Sequence, residues 1–291
     1  MKLITFTESG WSRVGILNGD GVIDLSIACP SLPSKMLALI QAGPSAIALA
    51  ASANDQAPHF PLTGVTLEAV IKRPPKIIAI GLNYRAHAEE SNMALPEVPL
   101  VFTKQSTSAN RPYSPIYWSE EGKAMDYEGD LALVIARNCR RVKRHQAKEV
   151  ILGFCVANDV SVRDWQMRGT PPSFTMGQSW DSHCPIGPSI VVGEGIDPHN
   201  LRLQTWVNGA LRQDSRTDDL IFDCYALIEF LSTAFTLEAG DVILTGTPSG
   251  VGFAQQPPAR LVPGDRVRVE IEGLGAIENE VIVEPEAAAR F

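Results

Sequence analysis

From Lys76 onward the chain is cut by glycine and proline into short apolar runs, and this punctuation most restricts how it can fold. Lys76-Ile77-Ile78-Ala79-Ile80, Leu131 to Ile135, Phe154 to Ala157, Ile190 to Val192, Val242 to Thr245 and Val267 to Ile271 read as strands by length and composition. One convincing helix interrupts them, Asp223 to Phe235, with Tyr225, Leu227, Ile228 and Leu231 as its apolar positions. Strands outnumber helices and no βαβ rhythm repeats, so a mainly β fold with some helix, of the α+β class, is expected.

The beginning of the chain reads differently. Lys2-Leu3-Ile4-Thr5-Phe6 and Val14-Gly15-Ile16-Leu17 are strand-like, and Asn18-Gly19-Asp20-Gly21 leads into Val22-Ile23-Asp24-Leu25 as a hairpin turn would. An Ala- and Leu-rich stretch from Lys35 to Ala51 predicts helix, interrupted at Gly43-Pro44. From Asn54 to Pro75 the chain is Pro-rich and without periodicity, as a linker would be. The expected organisation is a small N-terminal domain, 1–73, and a catalytic domain, 74–291.

Composition excludes several classes of partner. With 25 basic against 33 acidic residues and a formal net charge of -8, the chain has no electrostatic footprint for nucleic acid or anionic membrane. No uninterrupted apolar stretch reaches the roughly 20 residues of a membrane span, and Glu8 and Ser9 follow the N-terminus without an apolar signal region. The five cysteines are scattered with no CxxC pair, which predicts free thiols and a cytoplasmic location.

Four segments carry chemistry. Asp126, Glu128 and Asp130 alternate in Met125-Asp126-Tyr127-Glu128-Gly129-Asp130, so an extended chain would place all three on one face. A hard divalent cation would offset that crowding, since Mg²⁺, Mn²⁺ and Ca²⁺ take all-oxygen sites; a solvated acidic strand edge fits the same pattern. Asp159 ends the apolar run Phe154 to Ala157, where an unpaired carboxylate would be costly, although it also suits a turn or cap. Arg163 and Gln166 follow at helical i, i+3 spacing. In Gly81 to Glu90, one helical turn would bring His87 to Glu90, an arrangement common to general bases and equally to mixed-charge surface helices. The Gly-rich turn after Val242 to Thr245 is neither a Walker loop nor a dinucleotide fingerprint. Its amides and the Thr247 hydroxyl could hold a carboxylate, or simply form a turn.

The order of these segments is more specific than any one of them. GLNYRAHAEES, PLVFTK, DYEGDLALVI, ANDVSVRDWQ, DSHCPIGP, LEAGDVILTGTPSGVG and VPGDRVRVEIEGLG together resemble the catalytic domain of the fumarylacetoacetate hydrolase superfamily, over roughly Pro75 to Val283. Within it the chain is most similar to the acylpyruvate hydrolase, oxaloacetate decarboxylase and hydroxyheptadienedioate isomerase group. The resemblance implies a mixed β-roll catalytic domain, a homodimer, and a Mg²⁺ or Mn²⁺ site formed by Glu128, Asp130 and Asp159. Asp130 stands where such proteins usually have Glu. It also implies a His87–Glu90 dyad, and substrate contacts from Arg163, Gln166 and Thr247. Gln178 stands where relatives carry the lysine of GKSFDT, so a substrate with a neutral far end is expected unless a neighbouring cation, Lys104 or Arg168, supplies the charge.

The function these residues imply is divalent-metal-dependent hydrolysis of a C–C bond in a small 2,4-dioxo acid of the acylpyruvate type. Oxaloacetate decarboxylation and 2-oxo acid enol isomerisation share the same enolate and stand as alternatives, as does a relative that binds a keto acid without turnover.

Overall fold

The computed structural model describes residues 1–193 and 195–286. Its largest feature is a mixed 12-stranded sheet. Along its main path the order is Phe60–Pro61, Gly21–Asp24, Trp11–Asn18, Lys2–Glu8, Cys184–Val191, Ile151–Asn158, Gly129–Ile135, Val242–Leu244, Ile77–Gly81 and Leu100–Lys104. Val242–Leu244 runs parallel to Ile77–Gly81, and this pair is flanked by antiparallel neighbours, Gly129–Ile135 on one side and Leu100–Lys104 on the other. A second sheet of five strands contains Arg202–Val207, Ala210–Arg216, Arg266–Ile271 and Gly275–Val283. This is the mainly β, mixed-sheet architecture expected from the punctuated apolar runs.

The central strand shows why those runs are continuous rather than alternating. In Gly129–Ile135 all seven residues are buried. Ala132 and Val134 join one apolar cluster, with Leu39, Ile77 and Leu244. Leu131, Leu133 and Ile135 point the other way, into a cluster with Leu203, Val267, Ile277 and Ile228. A strand covered on both faces has no solvent side on which to place polar residues.

The N-terminal segment shares this framework. Leu3 pairs with Ile190 across strands, and Leu3, Val14, Ile16 and Ile23 belong to the same apolar cluster as Ala132 and Leu244. The hairpin turn is where the sequence places it, with Asn18 opposite Gly21. The helical stretch divides at Gly43 into Met36–Gln41 and Pro44–Ala51, and Pro44 occupies the first turn, where a missing N–H costs nothing. The Pro-rich segment expected as a linker is tied down instead. Phe6 pairs with Leu67, and Ala69, Val70 and Ile71 are buried.

The helix Cys224–Ala234 begins where expected, because the Asp223 carboxylate accepts from the Tyr225 and Ala226 amides at 3.0 and 2.9 Å. It buries Leu227, Ile228 and Leu231. Among the described residues no helix is long and apolar enough to cross a membrane, and all five cysteines are free.

One buried histidine lies close to the site without belonging to the expected set. His183 Nε2 donates to the Tyr117 carbonyl at 2.8 Å, its ring stacks on Trp180, and Nδ1 has no partner. Burial pushes it down to about 3. A base depressed in the folded state contributes stability above its unfolded pKa, near 6.5, and that contribution is lost as pH falls toward 3. By pH 5 the loss is about 2 kcal/mol. His183→Gln should therefore flatten the fall in stability between pH 6.5 and pH 5, measured by urea unfolding. Parallel curves for the two proteins would rule the assignment out.

Candidate active site

The carboxylates meet where two strands end side by side. Asp130 lies opposite Ala157 in the ladder, and the Asp159 amide donates to the Glu128 carbonyl at 2.8 Å. The Asn158 side chain accepts from the Glu128 amide at 3.0 Å, which fixes the backbone between the ligating candidates. Glu128, Asp130 and Asp159 are all buried.

Asp126 does not join them as the alternation suggested. The chain changes sheets between the two positions: Met125–Asp126 pairs with Ser161–Val162, while Gly129 starts the strand of the large sheet. The period of two is broken there, and Asp126 becomes a hub for other donors. It accepts from the amides of Tyr127, Gly252 and Phe253 and from the Arg163 guanidinium, all within 3.0 Å.

Burial governs the electrostatics. It pushes the Glu128 carboxyl up to about 7, with Arg163 pulling against it and Asp159 and Asp126 adding to it. Burial raises Asp130 well above the usual carboxylate range, reinforced by Asp159 and Glu128. Asp159 is also raised by burial, with Lys104 opposing. Two cations face the group. Arg163 Nη2 lies 2.5 Å from Glu128 Oε1 and 2.8 Å from Asp126, and Lys104 Nζ lies 2.6 Å from Asp159 Oδ1. Four carboxylates thus share two cations, and Asp130 Oδ1 is buried with no partner at all.

Among the described residues, no three His, Cys, Asp or Glu side chains have their donor atoms gathered around a common point, because Arg163 and Lys104 draw Glu128 and Asp159 toward themselves. The donor set nevertheless suits a hard divalent ion. It is all oxygen, it carries excess negative charge in a buried place, and one oxygen is orphaned.

Glycines bring the turn after Val242–Leu244 onto this cluster. The Gly246 amide donates to Asp130 Oδ2 at 2.8 Å. A side chain at Gly246 would lie 2.9 Å from Asn83 Cβ and from the Ile80 carbonyl, and its φ of +103° is one that glycine adopts freely. Thr247 is buried with its hydroxyl donating to the Gly129 carbonyl at 2.9 Å and accepting from Gln213 at 2.8 Å, so in this state it braces the carboxylate strand.

His87 and Glu90 lie on the helix Arg85–Glu90, with His87 Nδ1 3.3 Å from Glu90 Oε2. The helix is pinned at its start, where Arg85 donates to the Leu220 carbonyl at 2.8 Å and Asp219 accepts from the Ala86 amide at 3.0 Å. At its end both Glu90 oxygens accept from the Gly250 amide, at 3.0 and 3.1 Å. Through Gly250 the helix end is tied to the loop whose Gly252 and Phe253 amides hold Asp126.

Gln166 accepts from Arg163 at 3.1 Å and is buried beside it. Gln178 is also buried, and with its amide nitrogen turned toward Asp159 it donates to the two carboxylate oxygens at 2.8 and 2.9 Å. Lys104 supplies the cation at this point: it also donates to the Val160 carbonyl at 3.2 Å and to the Gln178 carbonyl. Arg168 lies over the Trp165 ring instead. Beside Arg163 a cleft of about 340 Å³ is lined by Asp126, Met167, Phe253, Pro258 and Arg260.

Sequence reasoning missed Gln213 and Asn158, which hold the backbone of the carboxylate strand. Asn158 could have been found by its position beside Asp159. Gln213 sits in a strand with no distinguishing pattern and reaches the Gly129 amide at 3.0 Å only through the tertiary fold.

A family model described as fumarylacetoacetate (FAA) hydrolase C-terminal matches residues 76–282. The chain is 42% identical over 288 residues to oxaloacetate tautomerase fahd2, mitochondrial, of Xenopus laevis, which covers 97% of this chain and 90% of that protein. It is similar to the crystal structure of maleylpyruvate hydrolase from Sphingobium sp. SYK-6 in complex with manganese (II) ion and pyruvate, with 29% identity, a TM-score of 0.82, and coverage of 98% of this chain and 100% of that one. The 5-carboxymethyl-2-hydroxymuconate delta-isomerase from Mycobacterium smegmatis has 34% identity and a TM-score of 0.78, with the same coverage.

Proposed function

The chain belongs to the fumarylacetoacetate hydrolase family, and from that premise we propose that it is a divalent-metal-dependent enzyme moving a proton between carbon and oxygen of a small 2-oxo dicarboxylic acid. Oxaloacetate in its enol and keto forms is the substrate this reading favours. The observation that carries it is the His87–Glu90 dyad, latched through Gly250 to the loop that holds Asp126, beside a buried carboxylate cluster that also holds two cations, Arg163 and Lys104. The tautomerase relative, 42% identical over nearly the whole chain, supports the choice of reaction.

Glu128, Asp130 and Asp159 would hold Mg²⁺ or Mn²⁺, which would supply positive charge to an enolate developing at the 2-oxo group. Manganese in the maleylpyruvate hydrolase structure supports this assignment. The remaining work falls to the chain's own side chains. Glu90 accepts from Nδ1–H of His87, which leaves Nε2 as the basic nitrogen. His87 takes the enol O–H proton and returns a proton to C3, so that one O–H bond breaks, one C–H bond forms and the catalyst is regenerated. Arg163 would recognise a carboxylate of the substrate through its planar fork, and Lys104, whose donors go to Asp159 and to the Val160 and Gln178 carbonyls, would act on the other as a nearby positive charge. Gln178, directed at Asp159, steadies a candidate ligand and leaves the charge to Lys104.

Hydrolysis of a C–C bond in an acylpyruvate is the second reading, favoured by the cleft beside Arg163, which has room for a longer acyl group. It would use the same dyad to deprotonate water. The two are separated by incubating the Mn²⁺-loaded protein with enol oxaloacetate and, separately, with an acylpyruvate of neutral chain. Accelerated decay of the enol absorbance with 2-oxo acid conserved supports the tautomerase; release of pyruvate from the acylpyruvate without that acceleration supports the hydrolase.

A further inference from the structure

Tyr127 lies between Asp126 and Glu128 in sequence, is only 2% exposed, and belongs to the apolar cluster of Leu131, Val267 and Ile277. Its hydroxyl donates to the Gly250 carbonyl at 2.8 Å and accepts from Gln255 Nε2 at 2.9 Å. The amide of the same Gly250 donates to both oxygens of Glu90. Gly250 is therefore gripped on both of its polar atoms, by the carboxylate strand on one side and by the dyad helix on the other. Its φ of +99° and the Arg212 carbonyl, which lies against the place a β-carbon would take, leave no room for a side chain. Asp126 secures the next residues of the loop by accepting from the Gly252 and Phe253 amides.

We propose that Tyr127 is a positioning residue for the His87–Glu90 dyad, acting through the Gly250 peptide. The hydroxyl holds the Gly250 carbonyl, and so fixes the direction of the amide to which Glu90 is latched. Glu90 in turn orients His87. The segment that carries Glu128 and leads into Asp130 thereby also sets how the proton carrier is held. The opposite end of the helix is fixed separately, by Arg85 and Asp219, so loss of the Tyr127 contact should loosen the Glu90 end. This inference rests on the proposed role of the dyad in proton transfer, and its test is chosen to keep the two apart.

Tyr127→Phe keeps the buried ring and removes only the hydroxyl. A single hydrogen bond corresponds to roughly a 2- to 12-fold change in an equilibrium. Amide hydrogen exchange over residues 86–91 should speed up by that factor, and kcat should fall by a similar factor while KM and the Mn²⁺ concentration giving half-maximal thermal stabilisation stay unchanged. In a Glu90→Gln background the same substitution should have a clearly smaller effect, since the latch is already weakened. Gln255→Leu, which removes the half-buried partner of the hydroxyl, should shift exchange in the same direction and serves as the test if Tyr127→Phe fails to fold. Unchanged exchange over residues 86–91 overturns the proposal. Faster exchange there with unaltered kcat supports the latch and instead overturns the dyad as proton carrier.

Discussion

His87→Ala should lower kcat for enol-to-keto conversion by about 10²- to 10⁴-fold, the range expected when a positioned general base is removed. Because His87 lies on the helix Arg85–Glu90 and its hydrogen bond goes to Glu90 rather than to the candidate ligands, Mn²⁺ binding should survive the substitution. Glu90→Gln should cost less, since it keeps a group that can accept from His87 while losing the charge that stabilises an imidazolium. The comparison is made by following enol absorbance at saturating substrate, with metal content measured on the same samples. A His87→Ala protein as fast as the parent would remove His87 from the reaction.

The dyad, the carboxylates and the fold class were legible in the sequence to different degrees, for physical reasons. The strands were legible because residues such as Leu131 to Ile135 are buried on both faces and so read as unbroken apolar runs. His87 and Glu90 were legible because three residues on a helix is a local distance, set by backbone geometry alone. Asp126 misled, since its alternation with Glu128 and Asp130 presumed one continuous strand, and the chain leaves one sheet for another after Asp126. Gln213 bracing Thr247, Lys104 reaching Asp159 and Tyr127 holding Gly250 were not legible. Each joins residues 34 or more positions apart, and nothing local marks the partner. The segment from Asn54 to Pro75 had the composition of a linker, yet two short strands and Ala69 to Ile71 anchor it to the core.

Adding Mn²⁺ to protein stripped by chelator should raise the melting temperature markedly. The folded chain holds four buried carboxylates against two cations, and Asp130 Oδ1 has no partner, so a divalent ion removes an electrostatic cost that the unfolded chain does not bear. At a hundred times its Kd such an ion contributes about 2.7 kcal/mol. For a chain of this size, with an unfolding entropy of about 0.6 kcal/mol/K, that corresponds to a shift of roughly 4 °C. The effect should fade in acid, where protons compete for the same oxygens. Asp130→Asn should reduce the shift while raising the melting temperature of the stripped protein, because it removes a buried charge. Equal melting curves with and without Mn²⁺, together with full activity in chelator, would show that these carboxylates hold no functional ion.

A site that moves a proton at C3 of a 2-oxo acid exchanges that hydrogen with solvent, and deuterium incorporation reads the event. Keto oxaloacetate is placed in D₂O with catalytic Mn²⁺-loaded protein, and the C3 signals are followed by proton NMR against His87→Ala and against Mn²⁺ alone. The expected result is loss of C3 protons to deuterium well above both controls, with oxaloacetate conserved and no matching release of pyruvate. Exchange no faster than with Mn²⁺ alone would contradict it.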